Sequence, residues 1–223
     1  MLRLVIFDVD GTLVDSQGII LAAMGRAFAR AGRPAPLRES ALGIVGLSLP
    51  EAMAALVPEA GPEERAALVA AYKHAFAEIR AEEEAGHPPF YPGALDGIAR
   101  LDGAGYLLGI ATGKARRGLE HMLDLHDLRT RFVATQTADD APSKPHPAMV
   151  LNCLAATGAE AAGCVVVGDT EYDMAMARAA GARAIGVGWG YHDRARLGRG
   201  GAEVILPDFA AVDDAVAEMV GRP

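Results

Sequence analysis

The stretch LVIFDVDGTLVDS, residues 4–16, is the most informative part of the sequence. It opens with an apolar run that ends at Phe7 and is followed by two carboxylates, Asp8 and Asp10. A short apolar run that leads to a glycine predicts a buried strand, so the aspartates lie where that strand ends. An open α/β sheet keeps its active site at this end of its strands. Because side chains alternate along a strand, Asp8 and Asp10 leave it on the same side, while Val9 points into the fold.

The pairing of Asp8 with Asp10 has a chemical consequence. Two carboxylates in one small volume repel each other, and the arrangement is tolerable only if a cation lies between them or if one carboxyl group keeps its proton. We therefore expect a metal site, a proton-transfer pair, or both at the end of the first strand.

The composition predicts a globular protein that binds neither nucleic acid nor a membrane. The chain has 223 residues, 51% of them hydrophobic, which is enough for one substantial core and a smaller second one. A formal net charge of −8 without a basic block argues against nucleic acid as a partner. The apolar runs are too short to cross a bilayer, and no signal peptide precedes the first strand, so we expect a cytoplasmic location. Cys153 and Cys164 lack the spacing of a zinc or redox site and are predicted to be buried thiols.

The pattern along the chain predicts a helical domain inserted into an α/β domain. From residue 18 to 85 apolar residues recur at helical spacing, and the breaker-rich stretch 86–93 predicts the linker that follows. Strands are then predicted at 107–112, 132–135, 164–168 and 184–187, with helices at 95–103, 116–123, 147–157 and 172–180. Such alternation is typical of a parallel sheet with right-handed crossovers. We predict an α/β fold whose doubly wound, Rossmann-like core comprises residues 1–16 and 90–223, with an α-helical cap domain inserted at 17–89.

Polar groups also follow other predicted strands. Thr112, Gly113 and Lys114 supply a hydroxyl, a flexible backbone N–H and an ammonium group, which is a composition suited to binding an anion. A helix cap and a turn would explain the first two equally well. Lys144 lies between a loop and a predicted helix, within reach of the same sheet edge, although a lone lysine is usually solvated.

A second acidic motif follows the apolar run of residues 165–167. Asp169 ends this predicted strand, and Asp173 follows four residues later. On a helix that begins at Thr170, residues so spaced share a face, so both carboxylates are able to point at one cation. The alternative is that Asp169 only caps the helix.

Together these four segments resemble the haloacid dehalogenase-like hydrolase superfamily, in its phosphoglycolate-phosphatase-like branch with a helical cap after the first core strand. The resemblance covers almost the whole chain, through Trp189-Gly190-Tyr191. It implies a phosphatase that uses Mg²⁺ to hydrolyse a small phosphorylated metabolite through an aspartyl-phosphate intermediate.

The resemblance also implies a role for each motif residue. Asp8 would be the nucleophile, and Asp10 would protonate the leaving alkoxide and then activate the water, so it must begin protonated while Asp8 is ionised. The implied magnesium ligands are Asp8, the backbone carbonyl of Asp10, Asp169 and, directly or through water, Asp173. The phosphoryl oxygens would be held by Thr112, the Gly113 N–H and Lys144, with Lys114 as a further candidate.

The same residues distinguish a phosphatase from proteins with other activities. The dehalogenase and phosphonate-cleaving branches lack an acid at the position of Asp10, so its presence favours phosphoryl transfer. A β-phosphoglucomutase-like mutase keeps both aspartates and stays open as an alternative. Receiver domains of signalling proteins carry their acidic pair and their phosphoacceptor on different strands and lack a helical insertion, which disfavours a phosphoacceptor signalling role.

Substrate choice is expected to depend on the cap, because a cap that closes over the site excludes water and contacts the leaving group. The candidate cap residues are Arg38, Ser40, Gly46 and Ser48. A solvated arginine and a simple turn would explain them equally well. On the core side, Tyr191 and His192 are candidates to line the mouth of the site.

Overall fold

A sheet of six parallel strands forms the centre of the computed structural model, which describes residues 2–82 and 88–223. The strands are β1 (Leu4–Phe7), β2 (Leu107–Ala111), β3 (Phe132–Gln136), β4 (Cys164–Gly168), β5 (Arg183–Val187) and β6 (Val204–Leu206). Their order is β3-β2-β1-β4-β5-β6, and every strand pair is parallel. This is the order of a doubly wound Rossmann-like sheet, so the predicted fold class is confirmed.

Of the five helices described between β1 and β2, the first four lie before residue 83. They are α1 (Gln17–Arg30), α2 (Arg38–Leu42), α3 (Leu49–Leu56) and α4 (Pro62–Glu82). We call them the helical insertion. The helices that alternate with the strands are α5 (Ala94–Gly103), α6 (Arg116–Leu125), α7 (Ala148–Thr157), α8 (Glu171–Ala179), α9 (Arg194–Gly200) and α10 (Val212–Val220). Two short 3₁₀ turns lie at Ala161–Gly163 and Phe209–Ala211.

The strands and helices predicted after the linker match the observed ones to within two residues. The helices α9 and α10 were not predicted, and neither was the strand β6. It has only three residues at the sheet edge, which is too few for periodicity to be visible. The predicted end of the cap helix at residue 85, and residues 86 and 87 of the predicted linker, lie outside the described residues. The domain division at 16/17 and 89/90 stays a prediction.

The sheet is covered on both faces, which explains why all four residues of β1 are buried. Val5 and Phe7 pack on one side with side chains of α5, α6 and α10. Leu4 and Ile6 point the other way and pack with α7 and α8. Alternation along the strand thus divides one short sequence between two hydrophobic layers.

The helical insertion has hydrophobic clusters of its own. The larger one joins residues from all four helices and includes Met24, Phe28, Met53 and Leu68. Helix α1 packs along α4, and ion pairs such as Arg26–Glu82, at 2.7 Å, lie on their surface. A helical unit with its own core is able to hold its shape while it lies against the rest of the fold. We call that part, which comprises the six strands and helices α5 to α10, the sheet domain.

The structure also bears on the two cysteines and on the expected lack of a membrane-spanning segment. Cys153 and Cys164 are both buried free thiols, as predicted. Across residues 2–82 and 88–223, none of the helices combines the length and the apolar character that crossing a membrane requires.

Candidate active site

The carboxyl ends of β1 and β4 bring the two acidic motifs together. These strands are neighbours, with Phe7 opposite Val167, and the Asp8 N–H continues the ladder by donating to the Val167 carbonyl at 3.0 Å. Asp8 and Asp169 therefore emerge side by side where the strand order reverses, which is the usual ligand-binding crevice of this architecture.

Three buried carboxylates meet at this point. Asp8, Asp169 and Asp173 each offer an oxygen, and the three oxygens lie within 4.8 Å of one another. All three side chains are almost completely buried. Carboxylates this close are stable only if protons or cations compensate their charge.

Lys144 supplies one cation to this cluster. Its side chain is fully buried, and its ammonium group donates to Asp173 Oδ1 at 2.6 Å and lies 2.8 Å from Asp8 Oδ1. Burial alone would lower the pKa of Lys144, but the charges of Asp173 and Asp8 outweigh it and raise the pKa above its usual value. Lys144 is therefore positively charged, and one ammonium group faces three carboxylates.

Among the three acids of the cluster, Asp8 has the fewest hydrogen bonds to its side-chain oxygens in the described structure. Within the described part of the chain, neither of its side-chain oxygens accepts a well-formed hydrogen bond, although both are buried. Burial raises the pKa of Asp8 to about 7, Lys144 opposes the rise, and Asp173 adds to it. The sequence predicts repulsion between Asp8 and Asp10, and the charge of Asp173 raises the pKa of Asp8 more than that of Asp10 does. A buried carboxylate without hydrogen bonds is poised to bind a cation or an electrophile.

Asp169 is held by its neighbours on both sides. Thr12 Oγ1 donates to its Oδ1 and the Tyr191 N–H donates to its Oδ2, both at 2.9 Å. A side chain at Gly11, which has a φ of +89°, or at Gly190 would overlap this carboxylate. Burial, followed by the charges of Asp173 and Asp8, raises the pKa of Asp169 well above its usual range.

Asp173 has a structural role in addition to its place in the cluster. Its Oδ2 accepts from the Thr170 N–H at 3.0 Å and from the Thr170 hydroxyl at 2.6 Å. Thr170 in turn caps α8 by accepting from the Asp173 N–H, which completes a capping box. Since Lys144 occupies Oδ1, both oxygens of Asp173 have partners on the protein. The predicted alternative, Asp169 as the cap, is wrong, because Thr170 takes that position.

Asp10 lies beside this cluster and has different partners. Its Oδ1 accepts from the Ser16 hydroxyl and from Lys114 Nζ, the latter at 2.8 Å. Lys114, a predicted phosphate ligand, thus points at the second aspartate of the first motif. Thr12 and Ser16 were not singled out from the sequence, although a hydroxyl in the turn after Asp10 and one just before a helical pattern are recognisable signals.

The turn after β2 also lies at this edge. Thr112 is buried, and its hydroxyl accepts from the Lys114 N–H at 3.2 Å. A Cβ at Gly113 would lie 2.8 Å from the carbonyl oxygens of Gly46 and Leu47. Only glycine allows the helical insertion to approach the turn this closely.

Further contacts join the insertion to the sheet domain. The Ser48 N–H donates to Ser143 Oγ at 2.7 Å, beside Lys144, while the Ser48 hydroxyl donates to Glu51 at the start of α3. Ser40 and Arg38 are both exposed. Of the predicted cap residues, Gly46 and Ser48 therefore contact the sheet-edge turns, whereas the side chains of Arg38 and Ser40 are exposed.

Three donors of the sheet domain converge on the carbonyl oxygen of Gly43. They are Tyr172 OH at 3.2 Å, Arg196 Nη2 at 3.1 Å and His192 Nε2 at 3.1 Å. His192 Nδ1 accepts from the Glu171 N–H, so its hydrogen lies on Nε2. Burial, assisted by Arg196, lowers the pKa of His192 and keeps it neutral. His192 thus lies buried at the junction, whereas it was predicted to line the mouth of the site.

A cavity of about 350 Å³ opens beside this junction. Its walls include Arg38 from the insertion and Tyr191 from the sheet domain. Arg38 donates to Gln17 Oε1, and Tyr191 OH accepts from the Ser16 N–H at 3.1 Å. The residues that line this cavity come from the helical insertion and from the segment after β5, and the acids of the cluster are not among them.

Known proteins resemble this chain along most of its length. The family model described as "Haloacid dehalogenase-like hydrolase" matches residues 5–187. The "Probable phosphatase IndB" of Dickeya dadantii is 36% identical, with 95% of this chain and 92% of that protein covered. "Phosphoglycolate phosphatase 1" of Pseudomonas aeruginosa is 32% identical, with 98% of this chain and 82% of that protein covered. A crystal structure from Clostridium acetobutylicum, described as a predicted phosphatase, shares the fold with a TM-score of 0.86 at 21% identity, covering 98% of this chain and 99% of that one.

Proposed function

The chain belongs to the haloacid dehalogenase-like hydrolase family and is a phosphatase, and from this premise we propose that it hydrolyses a small phosphorylated metabolite with Mg²⁺ through an aspartyl-phosphate on Asp8. One observation carries the proposal. In the described structure, Oδ2 of the buried Asp8 has no hydrogen-bond partner, Lys144 Nζ lies 2.8 Å from its Oδ1, and the other two acids of the cluster lie beside it.

Asp8 acts as the nucleophile. One of its oxygens forms a bond to phosphorus while the bond from phosphorus to the leaving oxygen breaks, and the leaving alkoxide takes a proton from Asp10. Water then attacks the phosphorus of the aspartyl-phosphate and gives a proton to Asp10, while the bond from phosphorus to the Asp8 oxygen breaks. Inorganic phosphate leaves, and both aspartates return to their starting states. Division into two steps replaces one difficult displacement by two easier ones.

The residues of the cluster suit Mg²⁺. The donors are buried hard oxygens, the acids outnumber the one ammonium group, and the oxygens of Asp8 are without hydrogen bonds. We assign the ligands to Asp8, Asp169 and the backbone carbonyl of Asp10. Asp173 supports them indirectly, because Lys144 and Thr170 already occupy its two oxygens. The ion supplies positive charge that offsets the repulsion between carboxylates and phosphate.

Charge on the phosphoryl group is offset by groups fixed in advance. Lys144 is held by Asp173 and faces Asp8, so its ammonium group lies beside the atom that attacks. Thr112 and the Gly113 N–H lie in the turn after β2 and hold phosphoryl oxygens. Donors that are already in place need no reorganisation during the reaction, and this is the main source of their catalytic effect.

We take phosphoglycolate as the first substrate to test, because the Pseudomonas relative carries that name and matches nearly the whole chain. Its second anionic group is a carboxylate, and Arg38 in the wall of the cavity offers a guanidinium group to such an anion. Measurement of inorganic phosphate release separates hydrolysis from the phosphate transfer that a mutase would carry out.

Metal removal tests the proposed function. Hydrolysis of p-nitrophenyl phosphate should be lost after exhaustive chelation and return when Mg²⁺ is added. Asp169→Asn should weaken Mg²⁺ binding, measured by calorimetry, about 10-fold or more. The exposed Asp96→Asn is the matched control and should bind Mg²⁺ as the unmodified protein does. Full activity after chelation would contradict the proposal.

Substitutions in the insertion test its role in specificity. Arg38→Ala should lower kcat/KM for phosphoglycolate about 10-fold and that for p-nitrophenyl phosphate less than about 2-fold, since the aryl ester gains little from a contact to a carboxylate. Ser48→Ala should act in the same direction. Arg26→Ala, which removes an insertion arginine paired with Glu82, is the control. Equal losses on both esters would assign Arg38 to the fold or to the catalytic core.

A further inference from the structure

Lys114 has a contact that the proposed roles do not use. It is the third residue after β2, and its Nζ donates to Asp10 Oδ1 at 2.8 Å. The two side chains are only 15% and 13% exposed, so the pair is largely shielded from water. A hydrogen bond that is shielded from water holds its geometry better than a solvated one.

Backbone hydrogen bonds and a packing contact hold Lys114 in this position. Its N–H donates to Thr112 Oγ1 at 3.2 Å, and its carbonyl accepts from the Ala138 N–H at 3.3 Å. Its aliphatic part lies over Gly118 of α6, where an added Cβ would come within 3.1 Å of Lys114 Cγ. A glycine inside a helix costs stability, and here its lack of a side chain provides the space that the lysine occupies.

We propose that Lys114 is a positioning residue that fixes the carboxyl group of Asp10 for proton transfer. The inference rests on the proposed function, in which Asp10 exchanges a proton with the leaving group and then with water. Lys114 approaches Asp10 from the β2 turn and Ser16 approaches it from the start of α1, so the carboxyl group is fixed from two elements.

The atoms involved show how this positioning acts. Both donors end on Oδ1 of Asp10, so Oδ2 is the oxygen left to carry and receive the proton. Loss of Lys114 removes one of the two contacts and lets the carboxyl group rotate about its last bond. Proton transfer depends steeply on such alignment, whereas attack by Asp8 does not require it.

The leaving group provides a selective test. An alkyl phosphate such as glycerol phosphate expels a basic alkoxide that needs the proton, while p-nitrophenyl phosphate expels a stable phenolate. Lys114→Met should therefore lower kcat for the alkyl ester about 10- to 100-fold and for the aryl ester less than about 3-fold. The affinity for inorganic phosphate, measured by calorimetry, should not change. Lys73→Met, which removes an exposed lysine of α4, should leave both rates unchanged.

The result for Asp10→Asn separates two kinds of failure. If Asp10→Asn shows the leaving-group dependence and Lys114→Met does not, the inference about Lys114 is wrong and the proposed function stands. If neither variant shows it, the proton-transfer role of Asp10 fails, and the inference fails with it. Weaker phosphate binding in Lys114→Met, with equal losses on both esters, would make Lys114 a phosphate ligand and overturn the positioning role.

Discussion

Asp8→Asn is expected to abolish both turnover and covalent capture of phosphate. The amide is a poor nucleophile at the only attacking position, so kcat should fall on the order of 10⁴-fold or more. Acid quenching during turnover of a labelled phosphate ester should trap a phosphorylated protein in the unmodified enzyme and none in the variant. The fold should survive the change, because burial already disfavours the charged form of Asp8 and raises its pKa to about 7.

Asp10→Asn is the matched comparison. It keeps the nucleophile and removes the proton donor, so a smaller loss is expected, on the order of 10²–10⁴-fold. Some phosphorylated protein should still form from an ester with a good leaving group. If Asp8→Asn retained more activity than Asp10→Asn, the two roles would have to be exchanged.

Lys144→Met should have the largest effect on stability. The substitution removes a fully buried ammonium group that touches Asp8 and Asp173, and it leaves their carboxylates without this cation. Breaking a buried ion pair in this way costs about 3–5 kcal/mol in the free energy of unfolding. Urea denaturation without divalent ions measures the loss, and the phosphatase rate should fall about 10²-fold or more.

Two controls make this second prediction specific to the cluster. Lys73→Met removes an exposed lysine and should change the free energy of unfolding by less than about 0.5 kcal/mol. Adding Asp8→Asn to Lys144→Met removes one of the unpaired acids, so the double variant should be less destabilised than the sum of its two parts. An unfolding midpoint for Lys144→Met equal to that of the unmodified protein would show that the buried acids do not depend on this cation.

The acidic cluster shows which features of the site local sequence patterns predict and which they do not. The two motifs at Asp8 and Asp169 are visible because each follows a run of apolar residues that only a buried strand explains. Parallel strands place their carboxyl ends at one edge, so the meeting of these motifs follows from the pattern. The relative strength of each neighbouring charge's effect on the pKa of Asp8 does not follow from the pattern. The spacing of two residues predicts repulsion between Asp8 and Asp10, but Lys144 and then Asp173 have larger effects than Asp10 on the pKa of Asp8.

The contacts of the polar side chains were decided by packing. Lys114 was expected at the phosphate and lies instead on Asp10, because Gly118 gives its aliphatic part a place beside α6. His192 was expected at the mouth and lies buried beneath Gly43, since the insertion closes over it. Neither partner is near in sequence, so no local signal records these contacts.

The α/β class, the inserted helices and the acids and lysine at the sheet edge are predictable from the chain, because strand burial, helical periodicity and turn residues are local properties. The pairing of each charge with its neighbours is instead set by how the folded elements pack. Lys144 reaches Asp8 and Asp173 from a loop far away in the chain, and the distances of 2.8 and 2.6 Å depend on how β1, β4 and α8 pack together. Electrostatic effects change strongly over a few ångströms and with burial, and neither quantity is encoded in the spacing of residues along the chain.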